Sequence, residues 1–327
     1  MTSVFISTIP FGVHDQSPIT MLQQRNCLVT INDTGRKLTT EMLIERIQDT
    51  EILIAGTENI TAEAMDAAPH LKMICRVGIG LDSVDLIAAK DRGIIVSHTP
   101  DAPSPAVAEL TIGLMLDVLR HITWSTEGMR NHQWARHFGK RLDHSVVGLF
   151  GYGRIGNLVG KKLHALGVKK VLVHDIDPEK MALANKEGCL CSTRENIYYE
   201  ADIVSLHVPM TPETKGMIGH AELAAMSSNS VLINTARGGI IDEEALYTAL
   251  MGHQIAGAAI DVFEEEPYQG LLTTCPNIIL TAHMGSMTVD CRTQMEIEAC
   301  EEACRYLDSA PIQFPASIPI DISQSGK

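Results

Sequence analysis

Six residues, GYGRIG at 151–156, constrain the fold of this chain more than any others. They follow directly on the apolar run VVGLF (146–150). They open a segment in which Ile155, Leu158, Val159, Leu163 and Leu166 recur at helical spacing, with Gly167 placed as a C-cap. Glycine triplets also occur in ordinary turns, so the inference rests on the succession of strand, turn and helix. In that setting Gly151 permits a tight turn, Gly153 lets a pyrophosphate approach the backbone, and Gly156 lets the helix pack on the strand. Unbonded N–H groups at the helix start face the phosphates. The next apolar run ends VLVHDID, and its Asp175 lies 19 residues beyond Gly156. A carboxylate there accepts both ribose hydroxyls of NAD and repels a 2′-phosphate. Asp177 competes for that role from beyond the run, and Lys180 leaves a small opening for NADP. NAD is the expected cofactor.

The turn stands in the middle of 327 residues, too many for one core, which implies two domains. Before it, the runs VFIS (4–7), CLVTI (27–31), EILIAG (51–56), LKMICRVG (71–78) and GIIVSH (93–98) alternate with helical stretches at 39–47, 61–69 and 83–93. Each stretch opens on Ser or Thr as an N-cap. The alternation implies a parallel sheet with helices on both faces. A long helix is expected over 103–122, then a polar segment carrying Trp124 and Trp134. Those rings cover either a partner subunit or their own domain. Strand candidates resume at 146–150, 170–175, 201–208, 230–236, 255–262 and 277–283. A final helix over 286–307 and an irregular, proline-interrupted tail complete the chain.

Charge narrows the partners. With 26 basic against 40 acidic residues, a formal −14, the chain lacks the positive face that a nucleic acid or anionic membrane requires. A small anionic substrate remains compatible, because a few arginines can dominate a pocket. The N-terminus has neither a basic region nor a long apolar segment, so a cytoplasmic protein is expected. The eight cysteines form no CxxC pair and lie mostly in apolar runs, so buried reduced thiols are expected and no metal.

The last three strand candidates end alike. Arg237 follows VLINTA, the glutamates 264–266 follow AAIDVF, and His283 follows IILTA. Parallel neighbours in an open sheet would bring all three to the carboxyl edge, where ligands bind. A guanidinium there clamps a carboxylate and polarises the adjacent carbonyl. An imidazolium gives a proton to the oxygen as hydride arrives at the carbon. A neighbouring glutamate fixes the imidazole tautomer and favours its charged form. Each residue alone has a duller role as a structural histidine, a solvated acidic loop or a phosphate contact. Together they suit hydride transfer to a 2-keto acid.

With these motifs go RVGIGLDSVD (76–85), AVAELT (106–111), INTARGGIIDEEAL (233–246), AAIDVFEEEP (258–267) and TAHMGSMT (281–288). The ordered set resembles the D-isomer-specific 2-hydroxyacid dehydrogenases over nearly the whole chain, and most of all their phosphoglycerate-oxidising branch. The resemblance implies two doubly wound parallel-sheet domains. A flavodoxin-like substrate domain (1–98 with 287–327) is interrupted by a Rossmann NAD domain (99–286), whose arm at about 103–145 makes a homodimer. It implies Arg237, Glu266 and His283 as the catalytic trio. Gly151, Tyr152, Gly153, Arg154, Ile155 and Gly156 form the pyrophosphate turn, and Asp175 takes the ribose. His207, Val208 and Pro209 lie along the nucleotide, with Thr235, Ala236, Asp261 and Gly285 by the nicotinamide. Arg76, Val77 and Gly78 join Arg237 in binding substrate, the loop offering backbone N–H groups to the carboxylate.

One departure bears on the substrate. Phosphoglycerate-specific members often carry an arginine after the third strand, where this chain has Gly56 and Thr57. Arg76 remains, with His132, Arg136 and Lys140 on the arm as further anion contacts. The leading substrate is 3-phosphoglycerate. Glyoxylate, hydroxypyruvate and specialised phospho- or phosphonyl-acids follow. No regulatory domain is expected after the last helix. A different class, an NAD-sensing corepressor-like binding protein, is disfavoured by the intact trio.

Overall fold

Each apolar run of the sequence becomes a strand, and the strands form two parallel sheets. The computed structural model describes residues 1–316, so the end of the expected irregular tail lies outside the described residues. The chain divides into two units, Met1–Pro103 with the chain from Met287 onward, and Ser104–Ser286.

The first unit carries β1 (Ser3–Ile6), α1 (Ser17–Gln23), β2 (Leu28–Ile31), α2 (Thr40–Arg46), β3 (Ile52–Ala55), α3 (Ala62–Asp66), β4 (Met73–Arg76), α4 (Leu86–Asp91) and β5 (Ile95–His98). Its strand order is β2-β1-β3-β4-β5, a flavodoxin-like arrangement that switches direction between β1 and β3. All four residues of β3 are buried, as a central strand covered on both faces requires. Thr39 and Thr61 cap α2 and α3, accepting from the amides of Met42 and Ala64. The third expected cap is corrected. Asp85 rather than Ser83 caps α4, accepting from the Ala88 amide at 2.9 Å, and its charge suits a helix N-terminus. The closing helix (Val289–Leu307) packs on α1, β3, β4 and β5. After it, Phe314 and Ala316 exchange backbone bonds with His98 and Val96, covering the exposed edge of β5. Burial pushes the Cys75 thiol beneath this helix up to about 12, so it stays an unreactive apolar group.

The second unit holds α5 (Pro103–Arg120), α6 (Ile122–Arg130), β6 (Val146–Phe150), α7 (Arg154–Ala165), β7 (Lys170–His174), α8 (Pro178–Lys186), β8 (Leu190–Cys191), α9 (Arg194–Glu200), β9 (Ile203–Leu206), α10 (His220–Ala225), β10 (Val231–Asn234), α11 (Glu243–Met251), β11 (Gly257–Ile260) and β12 (Ile278–Leu280). The order is β12-β11-β10-β9-β6-β7-β8, all parallel, a Rossmann sheet whose switch point lies between β6 and β9. The long helix expected over 103–122 is present as α5, which ends at Arg120, and a second helix follows at once. His121 takes a left-handed conformation at φ 54°, and the Asp117 carboxylate accepts from the Thr123 amide and hydroxyl at 2.8 and 2.7 Å, starting α6 anew. The two tryptophans part company. Trp124 packs on its own core and donates to the Pro276 carbonyl, whereas Trp134 is 78% exposed and Phe138 is wholly so. Among the described residues no helix is long and apolar enough to cross a membrane.

Candidate active site

The glycine turn leaves β6 at the switch point, and two of its three glycines have a steric reason within the chain. Gly151 sits at φ 91°, and a Cβ on it would lie 2.6 Å from the His207 carbonyl. A Cβ on Gly156 would collide with the Gly151 carbonyl, so α7 can start only if this residue is glycine. Gly153 has nothing within 4 Å of its Cβ position and opens α7 as N-cap, with no side chain capping the helix. That open, uncapped helix start fits a pyrophosphate. At the other end Gly167 (φ 88°) closes α7, its amide bonding His164 and that of Val168 bonding Leu163.

Asp175, just past β7, accepts from the Tyr152 amide at 2.7 Å and the Asp177 amide at 2.9 Å, which fixes its carboxylate beside the turn. Asp177 has a different task, capping α8 by accepting from the Glu179 amide at 2.8 Å. The Tyr152 ring points away from the turn. It is buried in the core and donates to Glu187 at 2.9 Å, and burial raises the phenol's pKa. Its share in the turn is therefore backbone alone. Arg154 is exposed and Ile155 half-buried on the first turn of α7.

His207 follows β9 with its Nε2 3.0 Å from the Ser205 hydroxyl, and burial of the ring lowers its pKa to about 4. A neutral imidazole thus stands beside the turn. Val208 lies against Gly151, while Pro209 is exposed. Past β10, the Thr235 hydroxyl is turned inward to Thr111 at 2.8 Å. Ala236 is buried, its amide bonding Asn234 at 3.0 Å.

Arg237, Glu266 and His283 follow three adjacent strands, β10, β11 and β12. His283 Nδ1 lies 2.8 Å from Glu266 Oε2 and 3.0 Å from Oε1, leaving Nε2 as the imidazole's working nitrogen. The Glu266 carboxylate also accepts from the Phe263 amide at 3.1 Å. A Cβ on Gly238 would collide with the Phe263 carbonyl, so the Arg237 turn and the Glu266 loop meet backbone to backbone. The guanidinium of Arg237 is half-buried and donates to the Ala236 carbonyl at 2.7 Å.

Two residues shape these strand ends beyond what the sequence suggests. Asp261, fully buried, accepts from the amides of Met284 (2.9 Å) and Gly285 (3.0 Å) and from the Thr281 hydroxyl (2.6 Å). Its own carbonyl accepts from the His283 amide at 2.8 Å, holding His283 at φ 48°. Asn234 plays the matching part at β10, where its amide group donates to the Arg237 carbonyl at 2.9 Å. A lone polar residue closing the apolar run VLIN is the signal that marks it.

In the first unit, Arg76 ends β4 and Val77 and Gly78 follow it. The expectation that this loop offers the amides of 77 and 78 is corrected, because both have protein acceptors. The Val77 amide bonds the Ala55 carbonyl at 2.9 Å, and the Gly78 amide bonds the Thr99 hydroxyl at 2.8 Å. The Arg76 guanidinium folds onto the loop and donates to the Val77 carbonyl. On the arm, Lys140 pairs with Asp202 at 2.8 Å, while His132 and Arg136 are exposed.

A family model described as "D-isomer specific 2-hydroxyacid dehydrogenase, NAD binding domain" matches residues 112–285. The D-3-phosphoglycerate dehydrogenase of Methanocaldococcus jannaschii is 41% identical over 256 residues, covering 77% of this chain and 48% of its own length. This chain thus spans about half of that relative. The hydroxypyruvate reductase of Thermotoga maritima is 35% identical over 281 residues, covering 84% of this chain and 90% of its own. Among solved structures, a protein from Thermus thermophilus matches with a TM-score of 0.86 at 34% identity, covering 97% of this chain and 100% of that one. The chain belongs to the D-isomer-specific 2-hydroxyacid dehydrogenases, a family of NAD-dependent oxidoreductases.

Proposed function

We propose that this chain interconverts a small D-2-hydroxy acid and its 2-keto acid. The observation that carries the reading is the His283–Glu266 pair at 2.8 Å, beside the Arg237 turn on the carboxyl edge of a Rossmann sheet. When bound, NAD supplies the hydride donor or acceptor. Gly151, Gly153 and Gly156 admit its pyrophosphate, and Asp175 takes its ribose hydroxyls.

The rest falls to the chain's own groups. Arg237 clamps the substrate carboxylate through two hydrogen bonds and draws electron density from the carbonyl at C2. In reduction, C2 gains hydride while the carbonyl oxygen takes a proton from His283 Nε2. Oxidation returns that proton to the same nitrogen. Glu266 holds the Nδ1–H and offsets the positive charge of the imidazolium. Arg76, with the loop that Val77 and Gly78 shape, is a further proposed contact for a substrate carboxylate. The amides of Ile79 and Gly80, which have no acceptor among the described residues, are the available donors there. The protein works as a homodimer through its 103–145 arm, in the cytoplasm.

The test is NADH oxidation against a panel of 2-keto acids, with Arg237→Ala as control. The variant should bind NADH as the parent does and lose turnover by about 10²-fold or more. Retained turnover would overturn the assigned site.

A further inference from the structure

Glu266 stands on a loop whose residues 264–267 are all exposed, so burial does not hold its carboxylate against His283. The ties come from the two shoulders of the loop. On one side, the Glu243 carboxylate accepts from the Glu264 amide at 2.9 Å. On the other, the Tyr268 ring stacks on Phe263 with centroids 4.3 Å apart and planes at 17°. The Tyr268 hydroxyl accepts from the Leu272 amide at 3.2 Å and lies beside the same Glu243 carboxylate. Phe263 in turn donates its amide to Glu266 at 3.1 Å. One side chain, Glu243, thus faces both shoulders.

Glu243 is itself firmly placed. It opens α11, which buries Ala245, Leu246, Ala249 and Leu250, and the preceding Asp242 amide bonds the Ile218 carbonyl at 2.9 Å. The helix does not need Glu243 as a cap, because Asp242 already accepts from the Ala245 amide at 2.9 Å. Charges also reach the loop from Lys215, 3.8 Å from Glu264, and from the adjoining Arg237 turn.

We propose that Glu243 is a positioning residue for proton transfer, holding the 263–268 loop so that Glu266 stays on His283 Nδ1. This rests on the reading of the chain as a 2-hydroxyacid dehydrogenase. Without the anchor, the Glu264 amide turns to water and the exposed loop opens more often, so Glu266 spends less time on the imidazole. An imidazolium held less steadily gives up its proton at lower pH. Tyr268 carries part of the same task through its stack on Phe263.

The experiment records pH profiles of kcat/KM for 2-keto acid reduction in the parent, Glu243→Ala, Glu243→Gln and Glu244→Ala. Reduction needs the imidazolium, so the rate falls as pH rises through the ionisation of His283. In Glu243→Ala that fall should move to lower pH by about 0.5 or more, and kcat near neutrality should drop about three- to tenfold, with the Kd for NADH within about twofold of the parent's. Glu243→Gln keeps an oxygen to accept from the Glu264 amide and should restore most of the loss. Glu244→Ala removes the neighbouring acid from the same helix turn and should leave the profile unchanged, which separates loop anchoring from loss of helix-end charge. A Glu243→Ala profile that superimposes on the parent's overturns the proposal. So does an equal shift in Glu244→Ala. Should Glu243→Ala not fold, Tyr268→Phe keeps the stack and loses only the phenol. It should show a smaller shift in the same direction, and an unchanged profile there overturns the proposal equally. A parent that binds NADH and reduces no 2-keto acid would instead sink the dehydrogenase reading itself, and the proposal with it.

Discussion

At the scale of single residues, the histidines divide by surroundings. His283 is partly exposed and paired with Glu266, whereas His207 is enclosed with a pKa near 4. The enclosed ring carries a stability consequence. Its folded pKa lies below the ordinary value of 6.5, so above pH 6.5 both folded and unfolded chains hold it neutral and nothing is lost. As pH falls from 6.5 toward 4, the unfolded chain binds a proton that the folded chain refuses, and stability drops by up to about 3 kcal/mol. His207→Gln should remove that component. Denaturant unfolding at pH 7 and 4.5 should show the parent losing about 1–3 kcal/mol more than the variant. Parallel losses would contradict it. The sequence shows a histidine at a strand end in both cases. Burial, which separates them, arises only from packing.

At the scale of elements, strands were legible because parallel strands buried on both faces read as apolar runs, and all eleven candidates lie in the two sheets. The elements that escaped have weak patterns. Helix α1 buries only Pro18 and Leu22, too few for a period, and β8 is a two-residue edge strand with both side chains exposed. The break at His121 needed a left-handed residue that nothing in the apolar pattern announces. The turn itself was readable because Gly151 and Gly156 each answer a separate backbone demand. The tie from Asp261 was not, since it joins residues 20 or more apart in sequence. That tie predicts a linked loss. Asp261→Ala leaves the buried Gly285 amide, the Met284 amide and the Thr281 hydroxyl without their acceptor, so it should destabilise the protein by about 2–4 kcal/mol and depress turnover as His283 loses its setting. Thermal unfolding and kcat measured together check this. A variant as stable and active as the parent would refute it.

At the scale of the whole molecule, the arm exposes several large apolar side chains. Trp134 and Phe138 stand out with Ile122 and Met129 half-exposed nearby in sequence, so a second copy of the chain is their proposed cover. Sedimentation should give a dimer, and Trp134→Asp combined with Phe138→Asp should shift it to monomer at micromolar concentration. A monomeric parent would remove the arm's assigned role. The two-unit organisation was legible from one fact, a nucleotide turn in mid-chain. The use made of the loop at 76–78 was not, because its amides are taken by Ala55 and Thr99, partners distant in sequence.

The central claim is that an imidazole held by a glutamate delivers the proton as hydride reaches C2. Single-turnover reduction of a 2-keto acid by pre-bound NADH tests it most directly in His283→Asn, which keeps size and polarity but cannot act as an acid. The account predicts NADH affinity within a few-fold of the parent and a hydride-transfer rate lower by about 10²–10⁴-fold. An unchanged rate at full NADH occupancy would contradict it.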